Sequence, residues 1–284
     1  MEAGRGRGGG TAGEARTSRR DAGTREARAQ PMSARFAITG LMVVAAIRSV
    51  AAAGASPAHG AGAEPFAVVE LFTSEGCSSC PPAERLLADL ATAVRRDGRN
   101  VMTLEFHVDY WNSDGWTDPF SSAAWTGRQE RYVQALGGGS PYTPQMIVNG
   151  THGFVGSNRD QAQYSIDAAL KRVATARVSL SATPVKGGVR VDYQVAGAPD
   201  SALLCVALVE SGLVSHVAKG ENAGRTLSHE SVVRAFVSKP LAGHGAGSLT
   251  LDAAPAAAGH PRRAIVFVQD PHTLAMFGAA SAGL

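Results

Sequence analysis

Cys77 and Cys80 stand two residues apart, with only Ser78 and Ser79 between them. They follow the apolar run Ala67-Val68-Val69-Glu70-Leu71-Phe72 and precede Pro81-Pro82 and a helix-like segment. That order puts a Cys-x-x-Cys pair where a strand gives way to a helix N-terminus. Unpaired amides and the positive end of the helix dipole stabilise a thiolate there, lowering a cysteine pKa from about 8.5 to roughly 3.5–7.5. A redox-active dithiol is the first expectation. A structural zinc site built on this pair demands four protein ligands, and no second Cys-x-x-Cys or His-x-x-x-His follows at the separation a zinc ribbon or finger needs. A structural disulfide is the remaining competitor, although closing so short a loop restricts the unfolded chain little.

The elements that must hold the pair can be read from periodicity. Strand runs at 66–72, 101–108, 145–149 and 152–156 alternate with helical patterns at 82–96, 120–136 and 159–173. Leu86, Leu87, Leu90 and Val94 recur at helical spacing, whereas Val101, Leu104, Phe106 and Val108 suit a buried strand. This alternation predicts an α/β layer over residues 64–175. Beyond it the pattern changes to short strands near 177–183, 188–195, 202–209, 213–218, 231–237, 247–252 and 263–269. Strands at that spacing, punctuated by Gly187-Gly188 and Ala198-Pro199-Asp200, predict an all-β, sandwich-like domain over 176–284. Extension of the first sheet by these strands is the alternative.

The first 31 residues are rich in Arg, Gly and Ala and read as disordered. Met32, Arg35, the apolar stretch Phe36–Ile47 and the small residues Ala51–Ala55 then form a secretory signal pattern. Residues 1–63 are expected to be a removed leader, giving a periplasmic or secreted protein without stable membrane insertion. The whole chain carries 27 Lys and Arg against 24 Asp and Glu, but residues 1–63 hold nine Arg and four acids. The remainder has 18 against 20, so the basic balance belongs to the leader and nucleic-acid binding loses its support. Three cysteines exclude a disulfide-rich scaffold, and no cofactor is called for.

The 64–175 segment resembles the thioredoxin superfamily in its shorter, glutaredoxin-like arrangement. Glu70–Pro82, His107-Val108-Asp109-Tyr110-Trp111 and Tyr142-Thr143-Pro144-Gln145 resemble, more narrowly, a bacterial family of secreted proteins of unknown function. Gly220–Arg225 and His229–Arg234 extend that similarity over most of the remaining chain. The resemblance implies a cis Thr143–Pro144 bond facing the dithiol, an exposed nucleophile at Cys77, a resolving thiol at Cys80, and an extended substrate held by Thr143 and Pro144. It departs from redox thioredoxins in having Gly76 before the pair and Ser78-Ser79 within it, which leaves potential and substrate open.

Glu105, His107 and Asp109 alternate with Leu104, Phe106 and Val108 and share one strand face. His107 and Asp109 are candidate proton carriers beside the dithiol, or else a satisfied core histidine and a turn cap. Tyr110, Trp111, Trp116 and Trp125 are read as core or groove lining, Arg128 and Arg131 as solvated or paired, and Cys205 as a small hydrophobe. Asn222, Arg225, His229 and Arg234 form either a ligand site or a clamp between the halves. The expected activity is thiol–disulfide exchange on protein or small-molecule thiols. Two alternatives stand beside it: copper delivery through Cys77, Cys80 and His107, and a non-catalytic binding module with a structural disulfide.

Overall fold

Seven consecutive buried residues form β1 (Ala67–Thr73). Val68 and Phe72 enter one core, while Ala67, Val69 and Leu71 enter another, so this strand is covered on both faces. The structure is a computed structural model that describes residues 63–241, 245–254, 256 and 259–284. The leader expected over 1–63 thus lies outside the described residues, apart from Ala63.

The dithiol loop leads into α1 (Pro81–Asp97), which ends at Gly98, whose φ of 65° and N–H bond to the Val94 carbonyl close the last turn. Then β2 (Val101–His107) pairs with β1 in parallel, from Ala67 beside Val101 to Thr73 beside His107. Next, α2 (Ala123–Ala135) is capped by the Ser122 hydroxyl and brings Tyr132 onto the Phe72 and Phe106 face. After β3 (Gln145–Val148) and β4 (His152–Val155), α3 (Arg159–Ala169) covers the Leu71 face alongside α1.

The rest is β: β5 (Arg177–Val185), β6 (Gly188–Ala196), β7 (Leu203–Glu210), β8 (Leu213–His216), β9 (Thr226–His229), β10 (Val232–Pro240), β11 (Ala246–Asp252), β12 (Arg262–Gln269) and β13 (Met276–Gly283). Four of these continue the first sheet, whose strand order is β13-β12-β7-β10-β2-β1-β3-β4. Only β5, β6 and β11 form a separate three-stranded sheet, and β8 pairs with β9. No helix among the described residues is long and apolar enough to cross a membrane.

This overturns the expected fold class of an α/β thioredoxin-like domain followed by an all-β domain. The described residues are mostly β, with one mixed eight-stranded sheet running through both halves. The physical reason lies in β7 and β12. Cys205, Ala207 and Val209 of β7 pack with Phe72 and Phe106, while Leu204, Val206 and Leu208 meet Val191 and Leu251 of the small sheet. Strands buried on both faces belong at the centre of a sheet with layers above and below. The joint is narrow: Val232 of β10 lies parallel to Glu105 of β2, and the Glu105 N–H donates to the Ser231 carbonyl at 2.8 Å. Ser231 turns with φ 60°, and its hydroxyl lies 2.7 Å from that of Thr103.

Candidate functional site

Cys77 and Cys80 are joined as a disulfide, with Cα atoms 5.4 Å apart, at the carboxyl end of β1. Cys80 is the N-cap of α1, and Pro81 and Pro82 fill the first two helical positions. The prolines suit helical φ but remove two of the amides that would otherwise face a thiolate. The Ala83 and Glu84 amides are spent on the Cys80 carbonyl, at 2.8 and 3.2 Å. The donor that reaches sulfur is the Ser79 hydroxyl, 3.4 Å from Cys77 Sγ.

Cys77 is only 1% exposed and Cys80 is fully buried, whereas Ser78 and Ser79 face solvent. The expected exposed nucleophile is therefore corrected: the bridge is covered, and the cover comes from the far half of the chain. In the loop between β8 and β9, buried Asn222 donates its amide to the Glu75 and Cys77 carbonyls at 2.8 and 2.9 Å. Its own oxygen accepts from Arg225 at 2.7 Å. The neighbouring Glu221 carboxylate accepts the Ser78 N–H at 2.9 Å, and these Ser78 bonds hold its pKa below the ordinary value.

Beneath the loop lies a cluster of six ionisable groups drawn from five segments of the chain. Glu75, Glu84, Glu105, His107, Asp118 and His229 are all buried. His107 Nδ1 donates to Asp118 at 2.7 Å and Nε2 to Glu105 at 3.1 Å. His229 Nδ1 donates to the same Glu105 oxygen at 3.1 Å, and its Nε2 lies 3.2 Å from Glu75 Oε1. That last pair is close but misdirected, so both atoms lack a well-formed hydrogen bond. Burial opposes charge on both imidazoles, yet the carboxylates outweigh it: His107 is raised well above 6.5 by Asp118 and Glu105, and His229 to about 9 by Glu105 and Glu75. Burial likewise pushes Glu105 up, but its two imidazole donors bring it down to about 2. Glu84, desolvated and facing Glu105, rises to about 7 although the Thr73 hydroxyl donates to it at 2.7 Å.

A family model described as "Protein of unknown function (DUF1223)" matches residues 68–269. The chain belongs to the DUF1223 family. Among solved structures, it is similar to an Agrobacterium tumefaciens protein at 28% identity and a TM-score of 0.57, covering 78% of this chain and 95% of that one. It also resembles HBP35 of Porphyromonas gingivalis at 16% identity and a TM-score of 0.54, covering 79% and 77% of the two chains, a likeness of fold alone. No curated protein matches.

Within this DUF1223 chain the remaining expected residues separate into near and far. The Thr143–Pro144 bond is cis, as the resemblance implied. Trp111 links it to the dithiol loop: its indole donates to Thr143 Oγ1 at 2.7 Å, and a Cβ placed on Gly76 would lie 3.1 Å from the Trp111 Cβ. Asp109 is not with the cluster; it accepts the Thr126 hydroxyl at 2.6 Å and anchors the start of α2. Arg234 pairs with Glu210 and lies over Phe120, whereas Asn222 and His229 meet the dithiol half directly. Trp116 donates to Glu75 at 2.7 Å. Arg128 is a core residue: it bonds Glu70 at 2.7 Å and lies within 4.7–5.6 Å of the rings of Phe106, Tyr132, Phe236 and Phe267. Tyr132 also donates to Glu70, and Cys205 is buried nearby.

Glu75, Glu84, Asp118 and Glu221 were not singled out from sequence. Each reads locally as a turn, cap or helix-surface acid. Thr73 and Glu84 lie eleven residues apart and meet only because α1 folds back along β1.

Proposed function

We propose that this DUF1223 protein is an exported thiol–disulfide oxidoreductase acting on protein or small-molecule thiols through Cys77 and Cys80. The observation that carries the reading is the pair itself: a disulfide at a strand-to-helix turn, with a serine hydroxyl on Cys77 Sγ and a carboxyl of pKa about 7, Glu84, one helical turn beyond Cys80. A substrate thiolate attacks one sulfur of the bridge, forming a mixed disulfide as the Cys77–Cys80 bond breaks and the departing thiolate takes a proton. A second substrate thiolate then attacks the substrate sulfur of the mixed disulfide and expels the protein cysteine as its thiolate, so the two substrate thiols leave as a disulfide and the protein is reduced by two electrons. A group with a pKa near the working pH serves such proton traffic best, which favours Glu84 over the strongly paired His107.

The burial of Cys77 favours one other reading, a binding module whose disulfide is structural. Equilibration in glutathione buffers separates them. A labile bridge that also oxidises a model dithiol supports exchange. A bridge that resists reduction until the protein unfolds supports the module. Cys80→Ser in the exporting cell should trap covalent partners that Cys77→Ser does not.

A further inference from the structure

We propose that Glu105, His107 and His229 form a binding site for one divalent transition-metal ion of the zinc class, held beneath the dithiol loop and independent of the two cysteines. One oxygen or nitrogen from each residue lies within 4.8 Å of the others. The closest donors match a coordination shell: His107 Nε2 and His229 Nδ1 each sit 3.1 Å from Glu105 Oε1. Bonds of about 2.0–2.1 Å place tetrahedral ligands roughly 3.3–3.4 Å apart, so these two pairs already stand near the spacing an ion needs, and the two ring nitrogens lie within 4.8 Å of each other.

The far sides of both rings make the stronger argument. A metal-binding imidazole ordinarily directs its other nitrogen to a carboxylate, which fixes the ring and raises its basicity. His107 does so with Asp118 at 2.7 Å, and His229 Nε2 lies 3.2 Å from Glu75 Oε1. The latter two atoms are buried without a well-formed hydrogen bond, so His229 has its carboxylate beside it and is not yet tied to it. The exchange also conserves charge. An ion of charge +2 replaces the two protons that His107 Nε2 and His229 Nδ1 give to Glu105, so no new charge is buried. Two imidazoles and one carboxylate suit zinc or iron(II) far better than calcium or magnesium.

Because the cluster is closed, loading is tested through refolding. The oxidised wild-type protein is unfolded in urea without reductant, stripped with chelator, refolded with Zn2+ and desalted. One equivalent of zinc should remain, with none after refolding in chelator. Retention of no zinc by folded wild-type protein would overturn the proposal without any variant. His229→Gln should abolish retention, and Asp118→Asn should weaken affinity by roughly tenfold to a hundredfold. The double variant Cys77→Ser, Cys80→Ser should retain its equivalent, and Co2+ in the wild type should show a tetrahedral spectrum without thiolate charge transfer. Loss of metal in the double variant, or full retention by folded His229→Gln, would place the ion elsewhere and end the proposal.

Discussion

Replacing Asn222 by Ala should uncover the disulfide. Its side chain is fully buried and donates to two backbone carbonyls of the dithiol loop, those of Glu75 and Cys77. At about 1–1.5 kcal/mol net for each bond, the truncation weakens the contact between the loops by about 2–3 kcal/mol. The Cys77 carbonyl keeps the Cys80 N–H at 3.2 Å, and Arg225 is exposed and can turn to water. The loss therefore falls on local opening of the β8–β9 loop more than on the sheet. An opening easier by 2–3 kcal/mol is populated roughly 30- to 140-fold more often. A bulky reductant that acts only on the opened state should then reduce Asn222→Ala faster by that factor, measured by timed alkylation and mass analysis of the Cys77–Cys80 peptide. Reduction at the wild-type rate, in a variant whose thermal midpoint has fallen, would show that reagents reach the bridge past Ser78 and Ser79 and that the loop does not guard it.

Glu84→Gln should change the pH dependence of stability. The native carboxyl rises from 4.5 to about 7, so the native state holds the proton more tightly than the unfolded chain, and stability is lost as pH climbs from about 4.5 through 7. The variant should flatten that interval and be more stable at pH 8 by about 3 kcal/mol, read by urea unfolding at pH 5 and 8; an unchanged slope would place the titration elsewhere. Arg128→Met should cost about 3–5 kcal/mol, because it leaves Glu70 buried without its cation, and adding Glu70→Gln should restore part of the loss. Equal stability of the single and double variants in chemical denaturation would refute that coupling. Cys205→Ala should leave exchange unchanged, since Cys205 is a free, buried thiol beside Gln269 and Ser238; a loss of exchange by the folded variant in a model-dithiol assay would contradict this.

Most individual elements were legible in the chain because their signal is local. The buried run at 66–72 and the helical spacing of Leu86, Leu87, Leu90 and Val94 emerge within a residue or two of β1 and α1. Two strands gave no such signal: Thr226–His229 is polar and short, and Met276–Gly283 consists mostly of glycine, alanine and serine. The sheet order was not legible, since the Val232–Glu105 pairing joins residues more than a hundred positions apart and no periodicity records it. A hint existed in Leu203–Glu210 and Arg262–Gln269, whose apolar residues run on without alternating, unlike the half-exposed Arg177–Val185. Likewise Glu70, lone within an apolar strand, required a buried partner. That partner is Arg128, which the sequence left as either a solvated or a paired arginine. The groups around His107 could not be assembled in advance, for Asp118 and Glu75 meet through loops that carry no periodicity and His229 arrives from the far half of the chain.

The proposed function requires Cys77 and Cys80 to be an exchanging couple in the folded protein. It is tested most directly by equilibrating the purified wild type across a series of reduced-to-oxidised glutathione ratios, trapping by acid and counting free thiols while circular dichroism reports folding. Exchange requires a reversible two-thiol transition of Cys77 and Cys80 at an unchanged native spectrum, abolished in Cys77→Ser. A bridge that stays closed until the native spectrum is lost would contradict it and leave the disulfide a structural one.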